Sequence, residues 1–353
     1  MKIQDLDYEL PEELIAQEPL EPRDSSRLLV LHRASGRIEH RTFRDITTYL
    51  HAEDCLVANK SRVIPARLFG RKVPTGGRVE ILLLRQLEPR RWLGLIGGAR
   101  TRPDTVIRLD QDSEPSEITL RVLETGEQGE RLMEFSEPLD EHLDTLGHTP
   151  LPPYIHRPLE DPERYQTVYA ETPGSAAAPT AGLHFTPDLM LELREQQVSF
   201  EFITLHVGLD TFQPIHEEII EEHDIHREWC RLTPQTAEQI NRTKLSDGRV
   251  VAVGTTSVRV LETAARRGLG QSPNDTCPWQ TVAPFEGFTD LYITPGFEFR
   301  AVDALITNFH LPKSTLLALV MAFTGEENIR HAYEAAIAQR YRFYSLGDAM
   351  LIL

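Results

Sequence analysis

The sequence predicts an α/β protein with a separate, small all-β domain. Two changes of pattern carry this expectation. From Arg62 to Phe135, short β-like runs follow one another with turn signals between them and no helical period. After the Pro-rich stretch Thr149-Pro150-Leu151-Pro152-Pro153, apolar strands alternate with amphipathic helices. A chain of 353 residues with 40% apolar content is long enough for one large core and a satellite.

In the first region the runs are Val63-Ile64, Leu68-Phe69, Val79 to Leu84, Trp92 to Ile96, Val106 to Leu109, Ile118 to Leu123 and Arg131 to Phe135. Turn signals such as Pro74-Thr75-Gly76-Gly77 and Arg102-Pro103-Asp104 separate them, as in a small barrel or sandwich. The second region reads as helix Leu189 to Gln196, strand Val198 to Val207, helix Thr236 to Lys244, strand Val250 to Val253 and helix Ser257 to Arg267. Strands Leu291 to Thr294 and Ala304 to Phe309 and helices Leu316 to Phe323 and Asn328 to Arg340 complete it. Ligands of such sheets gather at the carboxyl ends of the strands. The expected domains are therefore 62–149, all-β, and 1–61 with 150–353, α/β and discontinuous.

The composition excludes several classes. The longest apolar run, Leu316 to Phe323, is far short of the roughly 20 residues that cross a bilayer. The acidic start, from Asp5 to Glu13, lacks the pattern of a secretory signal, so a cytoplasmic protein is expected. Cys55, Cys230 and Cys277 are widely separated and contain no C-x-x-C pair, which argues against a disulfide framework or a zinc site. The net charge of −17 argues against a polyanionic partner, yet Lys60 to Arg108 holds twelve Lys or Arg against three acids. A basic segment on an acidic body could direct a phosphate backbone to one face, or be a solvated surface.

Four segments could carry chemistry. Gly254-Thr255-Thr256-Ser257 joins a strand to a helix, where hydroxyls and free N–H groups suit an anion or a ribose, or a plain N-cap. Ala304 to Leu317 contains His310 and Lys313-Ser314-Thr315, but lacks the G-x-x-x-x-G of a Walker A loop. The small residues from Gly174 to Thr186 suggest that something flat approaches the backbone, or a tightly packed turn, and His184-Phe185 adds a base and a stacking surface. His216 to Glu228 is rich in His and Glu but is not H-E-x-x-H; on a helix His223 and His226 would share a face. No metal is expected.

In their order along the chain these segments resemble the S-adenosylmethionine:tRNA ribosyltransferase-isomerase family of queuosine biosynthesis. The resemblance runs from Asp7-Tyr8-Glu9-Leu10-Pro11 through Arg23 to Leu29, Arg62 to Leu68, Leu151 to Ile155 and Tyr165 to Ala170. It continues through Ala178 to Phe185, His206-Val207-Gly208, His223 to Glu228, Gly254 to Arg259, Phe309 to Leu317 and Tyr341 to Ile352. Lys60, Asp210 and Ile225 depart from the family pattern.

The resemblance implies a large α/β domain with a mixed sheet and flanking helices, and a small inserted β-barrel. It implies transfer and isomerisation of the ribosyl part of S-adenosylmethionine onto 7-aminomethyl-7-deazaguanine at the wobble position of tRNA, giving epoxyqueuosine with loss of adenine and methionine. A monomer acting on the anticodon loop is expected. The donor's sulfonium acidifies its neighbouring ribose carbon, so a base working near neutrality could begin the reaction. His184, His206, His223, His226 and His310 all lie in matching segments; the reading favours His223, His226 and His310, with Glu228 orienting. Thr180, Gly182, His184, Phe185, His206, Gly208 and Ser257 are candidates for holding the cofactor, Thr255, Thr256 and Arg259 for its adenine end, and Lys313 or Arg342 for its carboxylate. For the tRNA the candidates are Arg62, Arg67, Arg71 and Lys72 on phosphates, and Tyr154, Tyr165, Tyr169 and Phe185 against the splayed base. Two other readings are a nucleotide-dependent transferase of a small molecule, which would turn over without RNA, and a non-catalytic RNA-binding protein, which would release no adenine.

Overall fold

The computed structural model describes residues 1–97, 101–111, 114–126, 129–208, 215, 217–225, 227–267 and 279–353. Arg100, Asp210, His216, His226 and Cys277 lie outside the described residues. The chain forms two compact units. The larger comprises Met1–Ser61, Pro152–Thr172 and Ala178–Leu353, and the smaller Arg62–Leu151 with Pro173–Ala177. Pro173–Ala177, expected in the large domain, joins the small unit, where Ile64 N–H donates to Ser175 O at 3.0 Å.

The strands are β1 (Arg27–His32), β2 (Arg37–Thr42), β3 (Cys55–Asn59), β4 (Ser61–Val63), β5 (Arg67–Val73), β6 (Arg78–Glu88), β7 (Arg91–Ile96), β8 (Val106–Gln111), β9 (Glu114–Thr125) and β10 (Glu130–Phe135). After them come β11 (Thr172–Ser175), β12 (Ser199–Leu205), β13 (Glu228–Leu232), β14 (Val250–Val253), β15 (Phe285–Thr289), β16 (Ala304–Asn308) and β17 (Ala349–Ile352). The α-helices are α1 (Leu143–Leu146), α2 (Pro187–Glu195), α3 (Pro234–Leu245), α4 (Thr255–Arg267), α5 (Thr315–Thr324) and α6 (Glu326–Ala338).

In the small unit, β10-β7-β6-β5-β8-β9 close into an antiparallel barrel, so the barrel and not the sandwich is formed. Its strands alternate: Val79, Ile81 and Leu83 of β6 point into a core with Leu68, Ile107, Leu120 and Met133, while Arg78 and Glu80 stay exposed. Closure leaves no open edge to pair with another chain.

The larger unit is built on a mixed sheet in the order β15-β13-β12-β3-β14-β16-β17-β1-β2. β12, β3, β14 and β16 run parallel and form its centre. β3 and β14 are buried along their whole length, as strands covered on both faces must be. β1, β2, β3 and β17 are absent from the sequence expectation, because short apolar runs such as Leu28 to Leu31 carry no alternation to mark them.

Two local expectations are corrected. Leu291 to Thr294 is not a strand; the strand is β15, just before it. The backbone of Leu291 is claimed by side chains, its N–H by Thr289 Oγ1 (3.2 Å) and its carbonyl by Arg259 Nε (3.1 Å), so it has no ladder to join. His223 is not on a helix: a single 3₁₀ turn, Ile220–Glu222, ends before it and the backbone at His223 is extended.

Helix starts follow from the sequence. Thr186 and Thr233 cap α2 and α3 ahead of Pro187 and Pro234, and each accepts an N–H bond at 3.2 Å. At the β14–α4 junction Gly254 has φ +86°, a conformation in which a side chain would be strained. No helix among the described residues is long and apolar enough to cross a membrane.

Candidate active site

The carboxyl end of β14 turns through Gly254 straight into α4, so Thr255, Thr256 and Arg259 project from the first turns of that helix. β13 runs antiparallel to β12 and therefore starts at the same end of the sheet, which brings Glu228 there too. Between them opens a cleft of ≈ 580 Å³ of empty space, lined also by His223, Tyr292 and Leu316.

Glu228 and Arg259 form a buried ion pair, Arg259 donating from Nη1 to Glu228 Oε2. The other carboxylate oxygen accepts from Gly208 N–H at 2.9 Å. With Nε on the Leu291 carbonyl, the guanidinium is fixed in place, yet its Nη2 is shut from solvent and has no partner among the described residues. Arg259 as a whole is only 8% exposed. Thr256 Oγ1 and Tyr292 OH are likewise buried and unpartnered. Buried donors are usually satisfied, so three that are not, around one cleft, are available to a polar ligand.

At the same cleft His223 Nδ1 meets Glu217 Oε2 at 2.8 Å, and its ring sits edge-on to Tyr292 with centroids 5.9 Å apart. An ionised Glu217 accepts from Nδ1–H, which leaves Nε2 as the basic nitrogen of the neutral ring. Burial, with the charges of Glu221 and Glu217, pushes the Tyr292 hydroxyl well above its usual range, so it keeps its proton.

Other candidates are placed elsewhere. His310 bonds through Nε2 to Thr307 Oγ1 at 2.7 Å, and its N–H donates to Tyr333 OH at 2.8 Å. Burial lowers its pKa to about 3, which makes it a weak base near neutrality, and it does not line the cleft. Glu228 orients Arg259 and not a histidine; the carboxylate beside a cleft histidine is Glu217, which sequence reasoning missed because the fold supplies their proximity. Lys313 pairs with Asp7 at 2.7 Å, and Ser314 caps α5 by accepting from Leu317 N–H at 3.2 Å. The Lys-Ser-Thr run is thus a helix start.

His206 stacks on Trp229 at 5.0 Å and 17°, and Ser257 Oγ donates back to Val253 O at 2.8 Å. The small residues before α2 are explained by packing. Ala176, Ala177, Ala178 and Ala181 are buried, a Cβ at Gly182 would overlap the Tyr169 hydroxyl, and Thr180 Oγ1 donates to Asn308 Oδ1 at 2.9 Å. Phe185 lies in the core of the large unit.

Of the tyrosines proposed for a splayed base, Tyr165 is 0% exposed, Tyr169 packs on Phe200 and Phe202, and Tyr154 OH bonds to Ser345 Oγ at 2.6 Å. Tyr165 thus offers no open stacking face, and Tyr154 and Tyr169 are half-buried. On the barrel, Arg67 pairs with Glu80 (3.0 Å) and Arg71 with Asp110 (3.3 Å), while Arg62 and Lys72 also have partners. The positive charge of that segment is therefore partly neutralised within it.

A mixed α/β sheet whose strand ends carry orphaned donors beside a His–carboxylate pair defines a protein that binds a small polar ligand and can move a proton on it. The sequence model described as "Queuosine biosynthesis protein" matches residues 3–352. The chain is 49% identical over 356 residues to an S-adenosylmethionine:tRNA ribosyltransferase-isomerase of Desulforamulus reducens, with 100% of each chain covered. Proteins of the same name from Symbiobacterium thermophilum and Carboxydothermus hydrogenoformans are each 52% identical over 356 residues and all of both chains. The crystal structure of S-adenosylmethionine tRNA ribosyltransferase from Thermotoga maritima matches 99% of this chain and 100% of its own, with 40% identity and a TM-score of 0.55. The chain belongs to the queuosine biosynthesis protein family.

Proposed function

We propose that this protein is an S-adenosylmethionine:tRNA ribosyltransferase-isomerase and that its donor binds in the cleft between β13 and α4. The reaction moves the donor's ribosyl group onto 7-aminomethyl-7-deazaguanine at the wobble position of tRNA and isomerises it to epoxyqueuosine, with adenine and methionine leaving. The relatives' names support the reaction, and one structural observation supports the site: Arg259 Nη2 and Thr256 Oγ1, three residues apart on α4, are buried and have no partner among the described residues.

The donor is a sulfonium carrying an amino acid, so it brings one carboxylate and two positive centres. Arg259 suits the carboxylate, because its planar fork is already held by Glu228 and Leu291 O and has one N–H face to offer. Thr256 Oγ1 supplies a second donor at the start of α4, where the helix dipole also favours negative charge. This reading moves Arg259 and Thr256 from the adenine end to the carboxylate, the role first expected of Lys313 or Arg342. Glu217, whose charge acts on Tyr292, puts negative potential where the sulfonium would lie, whereas Glu221 is paired with the N-terminal ammonium at 2.8 Å. His223 Nε2 then takes the proton from the carbon next to sulfur, and Glu217 stabilises the imidazolium that results.

The decisive assay incubates the protein with S-adenosylmethionine and tRNA bearing the aminomethyl precursor and follows adenine. Release that requires the RNA supports the reading. Release of equal rate without RNA points to the small-molecule transferase, and tRNA binding without any release points to a non-catalytic binder.

A further inference from the structure

A second cleft, of ≈ 320 Å³ of empty space, opens in the larger unit beside Ser26, His184 and Ser345. Ser26 precedes β1 and Ser345 precedes β17; both strands run opposite to β16, so this cleft lies at the same end of the sheet as the first. His184 is a fixed element of its wall. Asn308 Nδ2 donates to Asp348 O (3.4 Å) and to His184 Nε2 (3.2 Å), so His184 Nδ1–H donates to Ser26 Oγ (2.7 Å). The ring is stacked on Phe43 at 4.9 Å and is spent on structure.

Two guanidiniums, Arg23 and Arg164, line this cleft, and Arg342 lies close enough for its charge to act on His184 in the wall. Arg23 donates to Gln166 O (2.6 Å) and Glu163 O (3.0 Å), Arg164 to Leu20 O (2.7 Å), and Arg342 to Glu18 O. Main-chain carbonyls orient such groups without cancelling their charge. Glu21 pairs with Arg164 at 2.7 Å, but Arg342 Nη1 is buried with no partner among the described residues. The cations also repel: burial and then Arg164 lower the pKa of Arg23, and the fields of Arg342 and Arg23 add to burial in holding His184 at about 3. Assembling like charges this way is costly until an anion enters.

We infer that this cleft holds a phosphodiester of the RNA strand that carries the target nucleotide. The inference rests on the tRNA reading above and deepens it. It moves the phosphate contact from the barrel, where Arg67 and Arg71 are ion-paired, to a cluster in which Glu21 pairs with Arg164 while Arg23 and Arg342 are held by main-chain carbonyls. A donor carboxylate is the other oxyanion available, but Arg259 and Thr256 already provide for it.

The test uses the full chain. Arg23→Gln, Arg164→Gln and Arg342→Gln are each expected to weaken tRNA binding and to lower the log–log salt slope, with the triple variant losing about 0.7, the value for one single-strand phosphate contact. S-adenosylmethionine affinity, read by calorimetry without RNA, is expected to stay within about twofold, and Arg164→Lys to keep the wild-type slope. Because a buried arginine variant can misfold, phenylglyoxal labelling of the wild-type protein is run in parallel: tRNA should protect Arg23, Arg164 and Arg342, and the donor alone should not. Unchanged slopes, absent protection by tRNA, or protection by the donor alone would each overturn the site. Loss of adenine release from the wild type would instead overturn the functional reading, whatever the labelling shows.

Discussion

Arg259 donates from Nη1 to Glu228 and keeps Nη2 buried without a partner among the described residues. A buried charge pair holds a site in shape but adds little net stability, whereas breaking it leaves one charge stranded. Glu228→Gln is therefore expected to destabilise the protein by about 3–5 kcal/mol. The double variant Glu228→Gln/Arg259→Met should recover part of that loss while abolishing donor binding. Urea unfolding of the two variants checks this; equal instability of both would contradict the stranded-charge account.

His223→Gln is expected to slow adenine release by about 10²–10⁴-fold, the usual contribution of a positioned base, with donor affinity changed less than about threefold. Glu217→Gln should cost less, since it removes the orienting carboxylate and leaves the base. Single-turnover rates with saturating donor and tRNA measure both. If His310→Gln proved the more damaging to the chemical step at unchanged stability, the base would have been misassigned.

Stability should fall with acid. Burial holds His184 and His310 at about 3, so both are neutral when folded, while an unfolded histidine titrates near ~6.5. Between those values the unfolded chain binds protons that the folded one does not, so this stability is present above pH ~6.5 and is lost as pH falls toward ~3. Urea midpoints measured across that range should decline, and His310→Gln should make the decline shallower by up to one proton.

Lys313→Ala should leave donor affinity almost unchanged, because its ammonium is engaged by Asp7 at an exposed site worth at most about 1 kcal/mol. Ser314→Ala should cost about 1 kcal/mol by removing the α5 cap. Calorimetry and thermal melts separate the two effects. Loss of donor binding on Lys313→Ala would restore that lysine to the site.

Sequence alone determined the all-β segment, much of the strand–helix alternation after it and the family, because periodicity, turn residues and ordered motifs are local properties of the chain. Thr255, Thr256 and Arg259 were legible for the same reason, as a strand–glycine–helix junction shows where backbone donors will be free. Tertiary structure decided what those residues face. It put Glu228 on Arg259 instead of a histidine, gave His223 the carboxylate of Glu217, buried His310, Tyr165 and Phe185, and set Arg23 and Arg164 in the wall of a second cleft with the charge of Arg342 acting on His184 beside them. Charge pairing and desolvation depend on distances across the sheet, between residues up to some three hundred positions apart such as Arg23 and Arg342, and no spacing along the chain encodes those distances.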